Sequence, residues 1–125
     1  MSALVATPNL YAQEWNCADS GNLPQQGMNY CAGVDFKKAD TALNQAWKFV
    51  FSQIKDRDTT QIEQWKGWPD AVLKAQRAWI EFRDTNCATE AFKYRGGSIE
   101  PLIYQTCRTD MTEKRIQQLK SLLDE

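Results

Sequence analysis

Histidine is absent from all 125 residues, which removes the usual general base, the Ser-His and Cys-His nucleophile pairs and the most frequent zinc ligand together. Long apolar runs are missing too: no stretch approaches the roughly 18 uninterrupted apolar residues of a transmembrane helix. Neither sign of charge is in excess. The formal net charge is −1, and the 15 basic and 16 acidic residues are mixed along the chain, five and six of them before residue 61 and ten of each after it. Nucleic-acid binding draws most of its affinity from clustered Lys and Arg set against phosphates, so this balance speaks against a nucleic-acid partner. Nothing alternates with period two over a useful length and no unit recurs at a fixed period, which argues against sheets and solenoids. Catalysis would be left to carboxylates or Lys alone, and carboxylate pairs normally work in a cleft for which a short helical chain has little room. The chain therefore reads as non-enzymatic, with no metal and no other cofactor.

What is present is core material. Apolar residues make up 42% of the chain and include five Trp and five Phe, and a chain of this length suits one core that buries roughly two-thirds of the unfolded surface. Four cysteines, Cys17, Cys31, Cys87 and Cys107, form the even set expected where an oxidising compartment supplies staples. Close Cys-x2-4-Cys pairs, the mark of a Cys-only zinc site, are lacking. Of the three possible pairings, Cys17 with Cys31 and Cys87 with Cys107 is favoured, because each joins neighbouring helix ends across a short turn. Reduced thiols in a cytosolic protein are the rival reading. The opening MSALVATPNLYAQ lacks a basic leader and is broken by Thr7, Pro8 and Asn9, so it makes a poor intact signal peptide. Either an export signal has been trimmed or a cytosolic chain starts here, and a periplasmic or secreted location then rests on the cysteines. Residues 1–16 are expected to be a flexible segment ahead of a single helical domain at 17–125.

Met28, Cys31, Phe36, Ala39, Leu43, Trp47, Val50 and Ile54 recur mostly at intervals of three or four, the period of a helix with one buried stripe. A first long helix is predicted over 25–56. The polar run DRDTTQ and the unit KGWP then interrupt, with a short helical turn at 60–66 and a second long helix over 69–94 begun by Pro69. Gly96-Gly97 ends that helix. A short helix at 99–108 and a final one from Thr109 or Thr112 complete an all-α bundle of two long and two shorter helices. Trp47 and Trp79 read as core, whereas Trp65 and Trp68 sit on a linker.

Several polar residues fall beside the core stripes. A carboxylate taken from water needs a partner, so Asp40 is expected to meet Arg83 or Arg115, and Asp40, Asn44, Gln76, Arg83 and Arg115 to form an internal network that fixes helix register. Contacts with another protein would then fall on exposed loops. Two segments qualify: Lys93, Tyr94, Arg95, Gly96, Gly97 and Ser98, and the linker around Trp65, Gly67 and Trp68.

The stretch LKAQRAWIEFRDTNC at 73–87, with MNYCAGVDFKKADTALNQAW at 28–47 before it and GGSIEPLIYQTCRTDMTEKRIQQL at 96–119 after it, resembles the LprI-type lysozyme-inhibitor domain of exported bacterial proteins. The resemblance covers about 17–123. It is carried by Cys31, Asp40, Leu43, Asn44, then Gln76, Trp79, Arg83, Asp84 and Cys87, then Gly96, Gly97, Ser98, Cys107, Thr112, Arg115, Ile116 and Leu119. One departure is Ala46-Trp47, where the family often has an aliphatic residue followed by Tyr. The resemblance implies a helical exported domain and a protein partner, either a lysozyme or another peptidoglycan-cleaving enzyme that the chain inhibits or confers immunity against. The alternative is a cell-envelope binding or scaffold module whose partner is not a lysozyme. The positions that carry the resemblance are those read above as core, cap, staple or network, so they speak to fold before target.

Overall fold

A computed structural model describes residues 15–60 and 62–124 of the protein. Three helices make up most of it: α1 (Gln25–Asp58), α2 (Trp68–Ala91) and α3 (Glu100–Ser121), with 3-10 segments at Cys17–Asn22, Glu63–Trp65 and Phe92–Tyr94. No strand occurs among the described residues. At 34 residues, α1 is about 51 Å long at 1.5 Å per residue. It runs parallel to α3, since Asn29 near its start bonds Ser98 just before α3, and Arg57 near its end bonds Leu123 just after α3. The intervening α2 runs the other way and closes an up-down-up bundle.

The stripe read on α1 is the one that turns inward. Leu43, Val50 and Ile54 meet Val72 of α2 and Ile116 and Leu119 of α3 in the main apolar cluster, with Trp47, Phe51, Trp68 and Trp79 packed around it. Trp47 stacks on Phe51 with ring centroids 4.9 Å apart. Gly27 lets the first turn of α1 come close to its neighbours: a Cβ there would lie 2.9 Å from Leu23 Cβ and from two ring atoms of Trp15. Both favoured disulfides are formed. Cys17–Cys31 ties the first 3-10 segment to α1 and Cys87–Cys107 ties α2 to α3, with Cα separations of 5.4 and 5.5 Å. The flexible segment expected over 1–16 falls outside the described residues except for Trp15 and Asn16, whose side-chain oxygen caps Ala18 N at 3.2 Å.

The helix break expected near Thr109 or Thr112 is absent, so the two shorter helices of the sequence reading are one continuous α3. A threonine starts a helix when its hydroxyl is free to bond the next turn. Here Thr112 is fully buried and its hydroxyl accepts from Arg83 of α2 instead. Neither Gly nor Pro follows Pro101 within α3, so nothing interrupts the backbone ladder. Pro101 itself sits in the first turn, where its missing N–H has no partner to lose.

Candidate partner-binding site

The middle of the bundle is polar. Arg83, 4% exposed, donates through Nε to Asp84 Oδ1 at 2.9 Å and through Nη1 to Thr112 Oγ1 at 3.3 Å, and lies 3.6 Å from Asp40 Oδ1. Its guanidinium rests against Phe36 and Trp79, at 4.9 and 5.3 Å from the ring centroids. Arg115 donates through Nε to Gln76 Oε1 at 2.9 Å, and burial lowers its pKa from the ordinary value. Asp40, Gln76, Arg83 and Arg115 are thus brought to one seam. Asn44 is not: it stays on the exposed side of α1, and the one-turn spacing from Asp40 that drew it into the network carries it past the seam.

Arg108 belongs to this seam and was missed by sequence reasoning. It donates through Nε to the same Asp84 Oδ1 at 3.1 Å and lies 3.7 Å from the Phe36 centroid. The signal was present, since Arg108, Thr112, Arg115 and Leu119 follow the 4-3-4 spacing of one helical face. Both carboxylates of the seam, Asp40 and Asp84, are occupied by guanidinium partners. The Asp40–Arg83 pair joins α1 to α2, and the Asp84–Arg108 pair joins α2 to α3.

The two exposed segments lie at opposite ends of the bundle, separated by the length of α2, about 36 Å for its 24 residues. They could not enter one cleft together. At the far end, Trp65 and Trp68 are both half-buried. Arg57 lies 5.7 and 5.8 Å from their ring centroids and donates onward to Leu123 O, while Trp68 also packs on the apolar cluster. Gly67, in the left-handed region at φ +86°, donates its N–H to Asp58 Oδ1 at 2.9 Å. The tryptophans thereby pin the α1–α2 connection.

At the near end every residue from Phe92 to Ser98 is exposed, yet the backbone is held at many points. Arg95 N bonds Phe92 O, Gly97 N bonds Tyr94 O at 2.8 Å, and Glu100 N bonds Gly97 O. Gly96, at φ +83°, donates to Glu100 Oε2 at 3.0 Å, and Ser98 O accepts from Asn29 of α1 at 2.8 Å. The Cys87–Cys107 disulfide clamps the helices on either side. Phe92 and Tyr94 project from this turn at 61% and 42% exposure, with the Arg95 guanidinium 4.9 Å over the Phe92 ring. Beside them a groove of about 540 Å³ runs between Ala88, Ala91, Pro101 and Tyr104, with Arg95 and Glu100 on its rim. A shape already fixed by its own hydrogen bonds loses little conformational entropy on binding, and aromatic and Arg side chains are the usual anchors of protein interfaces.

Among the described residues no helix is long and apolar enough to cross a membrane. A family model described as "Lysozyme inhibitor LprI" matches residues 17–119. An uncharacterized protein of Rhizobium meliloti (strain 1021) is 35% identical over 122 residues, covering 95% of this chain and 86% of that relative. No solved structure matches the chain.

Proposed function

The chain belongs to the LprI lysozyme-inhibitor family, and from that membership we propose that it is an exported inhibitor of a lysozyme or related peptidoglycan-cleaving enzyme, reaching its target through the turn Lys93–Ser98. The observation that carries this is the match of the lysozyme-inhibitor family model along nearly the whole helical bundle. Two disulfides and no free cysteine among the described residues suit an oxidising compartment such as the periplasm or the extracellular space.

The turn supports the rest of the reading. Retaining and inverting muramidases work with two carboxyl groups flanking the scissile bond, so a rigid projection that carries cations opposes the charge of such a cleft. Lys93 and Arg95 are exposed cations on that projection, and Tyr94 and Phe92 supply apolar area beside them. Seated in the cleft, the turn excludes substrate, while the disulfide and the Asn29–Ser98 bond keep it from folding back.

The test is lysis of peptidoglycan by a muramidase titrated with the disulfide-intact protein. Loss of lysis near equimolar ratio is expected. Undiminished lysis at many-fold excess, across muramidases of different classes, would overturn the reading and leave a scaffold role at the cell envelope.

A further inference from the structure

One exposed stripe of α2 carries no charge along about five turns, with the exposed Lys74, Arg77 and Glu81 to one side of it. Ala71, Ala75, Ala78, Phe82, Thr85 and Thr89 follow one another at intervals of four and three, and all are exposed. Phe82 is 58% exposed. The protons of the two threonine hydroxyls are turned back onto their own helix: Thr85 Oγ1 shares its one proton between Glu81 O and Phe82 O, and Thr89 Oγ1 donates to Thr85 O. Solvent-facing helical positions are ordinarily charged or polar, and a 4-3 spacing of apolar groups is the pattern by which two helices pack along a seam. Nothing among the described residues covers this face.

We propose that this face of α2 seats the α2 of a second copy of the chain, antiparallel, in a two-fold dimer. The stripe is complementary to itself. With a two-fold axis near Arg77, Phe82 of each copy falls level with Ala71 of the other, a large group opposite a small one. The central rung sets Ala75 against Ala78, where small side chains allow close approach. In the same arrangement Lys74 of each copy lies across from Glu81 of the other. Both flank the apolar seam on the same side, seven residues apart, and neither has an ion-pair partner among the described residues. Two reciprocal ion pairs therefore frame the contact, as charged residues beside a seam do in coiled coils. A symmetric interface must present the same patch twice, and this one does so, with the exposed Arg77 of each copy left beside the axis and outside the apolar seam. Contact spans 68–85 and ends short of the turn at 93–98, so each copy keeps that turn free at opposite ends of the dimer.

The proposal stands apart from inhibition and is tested separately by sedimentation of the full, disulfide-intact chain. A single helix pair is a small interface, so reversible dimerisation is expected at roughly 10–500 μM, weakening with salt as the framing pairs are screened. Lys74→Glu and Glu81→Lys should each weaken the dimer at least about tenfold, since each sets like charges opposite one another. Mixed in equal amounts, the two variants should associate again, because every Glu then meets a Lys. Both substitutions are on the solvent surface, and unchanged circular dichroism and muramidase inhibition will show that neither alters the fold or the turn. A chain that stays monomeric throughout this range, or variants that fail to associate on mixing, would overturn the proposal and leave the face to another occupant.

Discussion

Arg83 of α2 donates through Nη1 to Thr112 Oγ1 of α3 at 3.3 Å, a bond between two of the most enclosed side chains in the bundle. The same guanidinium meets Asp84 and Asp40 and lies against Phe36 and Trp79, so one residue of α2 holds on to both other helices. Its two carboxylate partners are exposed by 42% and 39% and regain water if Arg83 is lost. Most of its contribution is therefore packing and the bond to Thr112. Arg83→Ala is expected to cost about 3 kcal/mol of folding stability, whereas Asp40→Asn, which removes one half-solvated partner, should cost less than about 1 kcal/mol. Urea unfolding of the two variants checks the order, and a larger loss for Asp40→Asn would show that the ion pair dominates.

The opposite ends of the bundle should separate by assay. Tyr94→Ala and Arg95→Ala remove exposed side chains that make no hydrogen bond through their side-chain atoms among the described residues, so the urea midpoint should move by no more than about 0.5 kcal/mol. Their effect is expected in inhibition, a loss of tenfold or more for each. Trp68→Ala should do the reverse. It opens a void against the apolar cluster and releases Arg57, costing about 3 kcal/mol or more, with inhibition retained by whatever fraction stays folded.

That separation also marks what could be read before the structure. The inward stripe of α1, the ending of α2 before Gly96-Gly97 and both cysteine pairings followed from spacing, because helical period and loop length are local properties of the chain. Asn44 and Arg108 were misplaced or missed for one reason. A polar residue beside a stripe is turned in or out by what the neighbouring helix offers, and only tertiary packing brings Asp84 opposite Arg108. Trp65 and Trp68 were placed on an exposed linker because a linker is usually exposed, whereas both are half-buried with Arg57 of α1 against their rings. The continuity of α3 was hidden in the same way: a threonine that reads as a cap is used across the bundle. The exposed turn at 93–98 was legible because glycine pairs and charged residues mark a loop, although the bonds that stiffen it were not.

Three glycines should respond to alanine in three different ways. At Gly33, inside α1, an added Cβ meets nothing within 4 Å, so the change removes backbone freedom from the unfolded chain and should stabilise by about 0.5–1 kcal/mol. At Gly27 the Cβ would press within 2.9 Å of Leu23 and Trp15, and the expected outcome is a loss of about 1–3 kcal/mol. Gly96 has open space but a left-handed backbone, which costs an L-residue about 1 kcal/mol. Thermal or urea midpoints rank the three, and a destabilised Gly33→Ala would mean that α1 is packed on a side where the structure leaves it open.

Thr109 and Thr112 lie three residues apart on α3 and should react to valine with opposite signs. Thr109 Oγ1 is enclosed without a hydrogen-bond partner among the described residues, so its hydroxyl is desolvated for no return. Valine keeps the shape, loses the polar atom and has nearly the same helix propensity, and Thr109→Val should stabilise by about 1 kcal/mol. Thr112 supplies the acceptor for Arg83 Nη1, and Thr112→Val leaves a buried guanidinium N–H unpaired, costing about 1–2 kcal/mol. Because the two sites share a helix and a substitution, effects on the unfolded chain cancel in the comparison. Equal shifts of the urea midpoint for the two variants would show that neither hydroxyl is placed as the structure has it.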